Sequence, residues 1–347
     1  MIELSYDYLG ARAAGARDGA RVRGAAPQTT RGGGVLSDLV VCYLFLGGTG
    51  AGLALALSVL GLLVPHACVS TPPGVHLRPN AAYRKLLGSG FAAAFVLLAL
   101  GIVCLLADLG NAERVILLLL HPTASYLAVG SWALAACLAL AAALGFAWLG
   151  IGTWNVALVR ILQVTTALVA AVVMVYTGLL LQSLGAVPLW STPWLPALFA
   201  ASSLSCGIAC ALALAQLTGV ASAFDAVLGR LAAVDAAVIV IEAIVVAVFV
   251  YAASLAGAPL SNGTELAAAQ SVRELVAGAN AQLFWGGFVA LGLAVPLVLD
   301  GVLAKRRRPL PGVALFTAAC VLAGGFVMRF CVVAAGAHPV LSSMGVM

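Results

Sequence analysis

The sequence predicts an all-α integral membrane protein with eight transmembrane helices, arranged as two four-helix bundles. Three observations indicate this class: 63% of the residues are hydrophobic, only 8% are charged, and the mean hydropathy is +1.13. Soluble domains carry about 25% charged residues. The net charge of +5 comes from basic residues scattered among the connecting segments. We therefore expect a lipid bilayer, and no nucleic acid, as the surrounding partner.

Eight apolar runs of about 20–27 residues are each long enough to cross roughly 30 Å of hydrocarbon. Backbone groups in lipid must be hydrogen bonded internally, and the runs lack the alternation of a barrel strand, so they are predicted as helices. We place the spans near residues 36–64, 86–107, 123–148, 155–182, 194–218, 231–256, 281–303 and 311–335.

The membrane domain is expected over residues 35–335. Residues 1–34 are polar, contain five arginines and lack an apolar h-region, so we expect a flexible arm and not a signal peptide. Residues 336–347 form a short C-terminal tail. The connection 257–280 is the longest, and a short interfacial helix is predicted within it, near residues 265–277.

The cysteines and histidines do not form a metal-binding pattern. The eight cysteines include no CxxC pair, whereas iron–sulfur and zinc sites need clustered thiolates. The four histidines are expected at or beyond helix ends, whereas a haem held by two histidines needs ligands inside two spans. We expect neither haem nor an iron–sulfur cluster in this chain. Redox chemistry would then require a bound organic carrier and a partner that holds the metal centres.

Three stretches carry a resemblance to a known family. Ala107–Trp132 places Asp108, Arg114 and His121 between two apolar runs, and it is followed by Tyr176–Gly207 and Gly324–Gly336. In this order they resemble the NrfD/PsrC family, the quinone-reactive membrane subunits of polysulfide-reductase-type molybdoenzymes. The resemblance implies bound menaquinone, with its head group between the first four helices. It also implies a four-cluster ferredoxin-like iron–sulfur subunit and a molybdopterin catalytic subunit as partners, with electron flow in either direction.

Four side chains are predicted to converge on one pocket at the membrane surface: Tyr43, Asp108, His121 and Tyr126. The Tyr43 phenol could donate to a quinone oxygen or anchor its helix at the interface. His121 could accept a proton near neutral pH or lie at a helix end in water. Asp108 could form an ion pair with Arg114 that shapes the loop, or handle protons itself.

Trp190 is the candidate quinone contact in the loop after the fourth span. The alternative is a place in the aromatic belt at the membrane interface. In the first span, the glycines of residues 47–52 permit close approach by another helix or by an isoprenoid tail.

Asp235 and Glu242 are acids inside the sixth span, two turns apart on one face. Acids at this depth predict a proton path or a buried structural hydrogen bond. Arg160 is expected at a similar depth to Asp235 and could pair with it across helices. Arg329 is expected to pair with Asp38 or with lipid phosphate.

The distribution of lysine and arginine predicts a multi-pass protein of the cytoplasmic membrane with the motif-bearing loops outside. Two other functions stay open at this point. Asp235, Glu242 and the glycine-rich first helix would suit a secondary transporter with an acidic site at the midplane. A purely structural anchor without quinone is also compatible with the sequence.

Overall fold

The computed structural model describes residues 38–65, 76–109, 126–183, 188–255, 263–304 and 311–336. The predicted N-terminal arm and C-terminal tail lie outside these ranges. Nine helices contain most of the described residues. They are α1 (Asp38–Leu63), α2 (residues 81–109), α3 (Tyr126–Leu149), α4 (Val156–Ser183), α5 (Trp194–Leu217), α6 (Asp225–Leu255), α7 (Gly263–Ala277), α8 (residues 283–304) and α9 (Pro311–Gly336).

Eight of these helices are long and apolar enough to cross a membrane, which confirms the prediction. The remaining helix, α7, is the short helix predicted near residues 265–277. Two spanning helices contain π-helical segments: α2 at Arg84–Gly88 and α8 at Leu283–Ala294. Among the described residues there is no β-strand, only an isolated bridge between His76 and Asn155.

Local chemistry sets several helix ends. The side chain of Asn80 accepts a hydrogen bond from the backbone N–H of Ala82 at 2.6 Å, which caps the start of α2. Asn155 does the same for Ala157 at the start of α4, at 2.8 Å. Helix α5 ends at Leu217, and Gly219 just beyond its cap has a φ of +69°, the left-handed conformation that favours glycine.

The helices form two four-helix bundles, as predicted. In the first, α1 and α3 each pack against both α2 and α4. In the second, α5 packs against α6 and α9, and α8 packs against the same two helices. The bundles meet where α1 and α4 contact α5. Helix α1 is central: 72% of its apolar window is buried, against 28% for α2 and for α6.

Candidate functional site

Tyr43, Asp108 and Trp190 lie at one end of the helices, which we call the motif end: α1, α3 and α5 begin there, and α2, α4 and α9 end there. Contacts between helices establish this arrangement. A Cβ atom on Gly101 of α2 would lie 3.1 Å from the backbone nitrogen of Gly47 of α1. The indole of Trp190, which follows α4, packs on Gly336 at the end of α9. The segments around Asp108 and Trp190 are therefore on the same side of the protein.

Tyr43 and Tyr176 form a buried pair at the motif end of the first bundle. The side chains are only 2% and 5% exposed, and their phenol groups interact with each other. The ring of Tyr176 lies directly on Gly130 of α3, where a Cβ atom would be 1.7 Å from the ring carbon that bears the hydroxyl. Three helices of the bundle thus hold two phenols in an enclosed place. The interpretation of Tyr43 as an interfacial anchor is wrong, because its ring is enclosed by other helices.

The other residues predicted at this pocket are described only in part. Asp108 is half-buried near the end of α2. Arg114 and His121 lie outside the described residues, so the ion pair of Asp108 with Arg114 stays a prediction. Tyr126 is the first residue of α3, and its side chain also lies outside the description.

Trp190 is a packing residue in a 3₁₀ turn, Pro188–Ser191. Its ring is 1% exposed, and its indole N–H donates to the carbonyl of Val332 at 3.0 Å. The aromatic-belt interpretation is therefore wrong for Trp190, while its contact with quinone stays a prediction. Other tryptophans that begin spans at the motif end are exposed instead, as a belt requires: Trp132, Trp194 and Trp285.

Two serines of α5 and two acids of α6 lie between these helices in the second bundle: Ser202, Ser205, Asp235 and Glu242. We call this group the serine and acid ladder. The hydroxyl of Ser205 donates to the carboxylate of Asp235 at 2.8 Å. Ser202, one turn away on α5, interacts with Glu242. Both acids are buried, with 1% and 3% exposure. Glu242 lies near the middle of the span Asp225–Ser254, as the sequence predicts.

Arg329 of α9 extends this ladder to the contact between the bundles. Its Nη1 donates to the Ser202 hydroxyl at 3.2 Å and to the Gly325 carbonyl at 2.8 Å, and its Nη2 donates to the Ser203 hydroxyl at 2.8 Å. The guanidinium also lies over the rings of Phe45 and Phe199, at 5.7 and 5.4 Å. The side chain is 0% exposed. The prediction that Arg329 pairs with Asp38 or with lipid phosphate is therefore wrong.

The predicted pairing of Arg160 with Asp235 is also wrong. Arg160 donates from Nη2 to the carbonyl of Val64 at 3.1 Å, which satisfies a backbone group just beyond the end of α1. Its helix, α4, and the helix of Asp235, α6, both pack against α5 instead of against each other. Arg160 thus belongs to the first bundle, whereas the serine and acid ladder belongs to the second.

An apolar groove of about 460 Å³ lies between the bundles at the end opposite the motif end. Its walls come from α1, α2, α5 and α6, and Arg230 stands among the lining residues. Among the described residues, no group of three histidine, cysteine, aspartate or glutamate side chains could hold a metal ion.

Comparison with known proteins identifies the family. The profile described as "Polysulphide reductase, NrfD" matches residues 34–340. The chain belongs to the NrfD family. It is 34% identical over 177 residues to the C subunit of polysulfide reductase from Wolinella succinogenes. This alignment covers 51% of this chain and 54% of that relative. It is 27% identical over 175 residues to a protein NrfD homolog of Haemophilus influenzae, with 50% and 52% covered. The chain thus spans about half the length of these curated relatives.

Membership in the NrfD family, together with the eight spans, makes the chain a multi-pass membrane protein. Three residues of the site were not singled out from the sequence: Tyr176, Ser202 and Ser205. All three lie inside the stretch Tyr176–Gly207 that carries the family resemblance, which is the signal that could have found them. Serines in an apolar helix give no further sign of which acid they contact, because the contact depends on the packing of α5 against α6.

Proposed function

We propose that this NrfD-family chain is the membrane subunit of a reductase complex and that it oxidises menaquinol at the Tyr43–Tyr176 pair. The observation that carries the proposal is the pair itself: two interacting phenols, buried among three helices of the first bundle. Family membership and the likeness to a protein named as the C subunit of polysulfide reductase support it. The likeness covers about half of that relative, so the activity of the whole complex is part of the proposal.

The donor chemistry of the pair fits a quinone head group. A phenol O–H donates to a ring oxygen, and exclusion of water strengthens such a bond. When bound, the quinol supplies two electrons and two protons. In this proposal the Tyr43 and Tyr176 pair orients one ring oxygen, and Asp108 and His121 receive protons near the surface of the motif end. Arg114 holds the Asp108 loop in position, while Tyr126 and Trp190 border the crevice.

The electrons pass, in this proposal, to a four-cluster ferredoxin-like iron–sulfur subunit and then to a molybdopterin catalytic subunit. The resemblance of the three motif stretches to the family supports these partners. We place the iron–sulfur subunit at the motif end, over the turn that contains Trp190 and over α7. This helix packs against both that turn and α9, so it covers the end of the second bundle beside the site.

The motif end is proposed to face the outside of the cytoplasmic membrane. At the opposite end Arg78, Arg84, Lys85 and Arg230 are exposed, and loops rich in basic residues remain in the cytoplasm. At the motif end Arg273 is exposed, whereas Arg329 is buried and does not count toward this rule.

Replacing either phenol tests the quinol site. Tyr43→Phe and Tyr176→Phe each remove one hydroxyl and keep the ring. A hydrogen bond to an oxygen that gains charge is worth about 1.5–3 kcal/mol, so we expect kcat/KM for menaquinol to fall roughly 10- to 100-fold. The assay is quinol oxidation by the purified complex, with the co-purifying subunits measured in parallel.

Tyr251→Phe is the matched control, because Tyr251 on α6 is 65% exposed and lies in the other bundle. We expect this variant to oxidise quinol at the wild-type rate. If the Tyr43 and Tyr176 variants assembled and kept wild-type kcat/KM, the site would lie elsewhere.

We further propose that quinol oxidation drives protons through the ladder of Asp235 and Glu242 in the second bundle. The support is two neighbouring buried polar contacts: Asp235 with Ser205, and Glu242 with Ser202, which also accepts a hydrogen bond from Arg329. Arg329 lies beside Phe45 of α1, half a turn from Tyr43 in the first bundle. Arg329 thus connects the serine and acid ladder of the second bundle to α1 of the first bundle, close to Tyr43.

Glu242→Gln tests the proton path, since the amide keeps the shape of the side chain and cannot carry a proton as an acid does. In liposomes containing the whole complex, we expect the number of protons translocated per quinol to fall. Asp225→Asn, at the exposed start of α6 and outside the predicted path, should keep the wild-type ratio. An unchanged ratio in Glu242→Gln would end the proposal of proton translocation.

A further inference from the structure

A cavity of about 440 Å³ lies in the second bundle, at the end opposite the motif end. It is enclosed by α5, α6, α8 and α9, and small apolar residues form most of its wall. Three carboxylates line it: Asp225, Asp235 and Asp300. None of its lining residues is a lysine, an arginine or a histidine, so no cation of the described chain faces these acids from the wall.

Asp300 of α8 is the unusual member of this group. Its side chain is only 7% exposed, and its Oδ2 has no hydrogen-bond partner among the described residues. A buried ionised carboxylate without a partner is costly, whereas a carboxylic acid that holds a proton is tolerated. Asp300 therefore has the surroundings of a group that binds a proton from the cavity.

Asp235 connects Asp300 to the interior of the bundle. It lines the same cavity, and it interacts electrostatically with Asp300 on one side and Glu242 on the other. Its carboxylate accepts the hydrogen bond from Ser205, the first step of the serine and acid ladder. The cavity wall thus holds the outer end of that ladder.

The remaining polar groups around the cavity do not neutralise Asp300. Gln216 of α5 carries no charge. Thr317 of α9 uses its hydroxyl to donate to the carbonyl of Val313 at 2.9 Å. The charged groups that face Asp300 from the wall are both acids of α6, Asp235 and the exposed Asp225 at the first turn of that helix.

We infer that Asp300 and Asp235 form a proton-uptake site, which we call the acidic vestibule. A proton from the water on the face opposite the motif end binds to Asp300, then moves to Asp235 and on toward Glu242. Each transfer breaks one O–H bond and forms another, and no electron moves. This inference rests on the proposed proton translocation and names the place where that path begins.

Labelling with dicyclohexylcarbodiimide tests the vestibule without any quinol chemistry. This apolar reagent adds to a carboxylic acid that holds a proton in an apolar place and leaves hydrated carboxylates largely unmodified. Membranes containing the whole complex are treated at mildly acidic and at alkaline pH, and the adducts are located by mass spectrometry. We expect adducts on Asp300 or Asp235 that decrease as the pH rises, and little on Asp225.

Absence of an adduct on both Asp300 and Asp235, or equal labelling of Asp225, would overturn the inference. Protection of Asp300 by sodium ions at constant pH would also overturn it, because the site would then bind an alkali cation. The labelling experiment uses the wild-type protein, so its result does not depend on how well a variant folds.

Asp300→Asn and Asp225→Asn form a matched pair of variants for proton translocation in liposomes. We expect Asp300→Asn to lower the ratio of protons to quinol at least twofold and Asp225→Asn to keep it. A wild-type ratio in Asp300→Asn would contradict the vestibule. If the wild type oxidised quinol without translocating protons, the proposed path itself would fail, and the labelling result would separate that case from a wrong assignment of Asp300.

Discussion

Arg329 is a charged side chain deep inside a membrane-spanning bundle, and its surroundings explain how it is tolerated. Removing an ion from water costs several kcal/mol even after relaxation. Here two serine hydroxyls and a backbone carbonyl accept its hydrogen bonds, and two aromatic rings face the guanidinium. Aromatic faces attract a desolvated cation by about 2 kcal/mol. The guanidinium also interacts electrostatically with Glu242.

Ser202 links Arg329 to Glu242, so its removal leaves both charged groups short of a partner. We expect Ser202→Ala to lower the free energy of unfolding by about 1–3 kcal/mol, the cost of a buried polar group left unpaired. The measurement is the shift in thermal unfolding of the purified protein in detergent.

Ser254→Ala is the control for that experiment. Ser254 is exposed, and its hydroxyl donates only to the carbonyl of Tyr251 in its own helix. A change of at most about 0.5 kcal/mol is expected there. Equal stability of the two variants would show that Ser202 does not hold the charged pair together.

The positions of Asp235 and Glu242 inside a span were predictable from the sequence, because a lone acid in an apolar run is conspicuous. The predicted partners of Arg329 and Arg160 were wrong, because the partners of an arginine depend on which helices are neighbours. Two serines of α5, more than a hundred residues earlier in the chain, accept hydrogen bonds from Arg329. No local pattern in the sequence predicts that contact.

Glycines determine how closely the helices approach one another at the scale of elements. On α1, Gly50 faces α2, whereas Gly48 and Gly52 face α5. A Cβ atom on Gly52 would lie 2.0 Å from the backbone oxygen of Ser203, and one on Gly207 would lie 2.1 Å from the backbone carbon of Gly52. The two bundles are therefore joined by backbone-to-backbone contact, and helix packing explains these positions of the glycine-rich stretch.

Gly207→Ala should disturb this crossing, because the added methyl group has no space. Overpacking of this kind costs about 1–3 kcal/mol, and we expect a matching fall in thermal stability. Gly229→Ala on α6 is the control, since a Cβ atom there meets nothing within 4 Å. That variant should be neutral or slightly more stable, by up to about 1 kcal/mol. Destabilisation by Gly229→Ala but not by Gly207→Ala would contradict the described packing of α1 on α5.

The existence of the helices was predictable, but some of their ends were not. Each span is a long apolar run, and lipid leaves the backbone few alternatives to a helix. Helix α6 begins at Asp225, six residues before the predicted position near 231. Asp225 and Arg230 are polar and were assigned to a connection, although an acid in the first turn stabilises a helix start. The π-helical segments have no signature in hydropathy.

The whole molecule divides its polar residues between two bundles. The tyrosine pair lies in the first bundle at the motif end, and the serine and acid ladder lies in the second. Arg329 stands where they meet, with its guanidinium over Phe45 of α1 and its Nη1 and Nη2 bonded to serines of α5. In the proposed function, this arrangement is what would couple quinol oxidation to proton movement.

Photolabelling with an azido-quinone tests the position of the quinol site most directly. The whole complex in membranes is irradiated with the probe, and the labelled peptides are identified with and without excess menaquinol. We expect labelling, suppressed by menaquinol, on the peptides of α1 and α4 that contain Tyr43 and Tyr176. Suppressible labelling confined to the apolar groove at the opposite end, around Arg230, would contradict the assignment of the quinol site to the tyrosine pair.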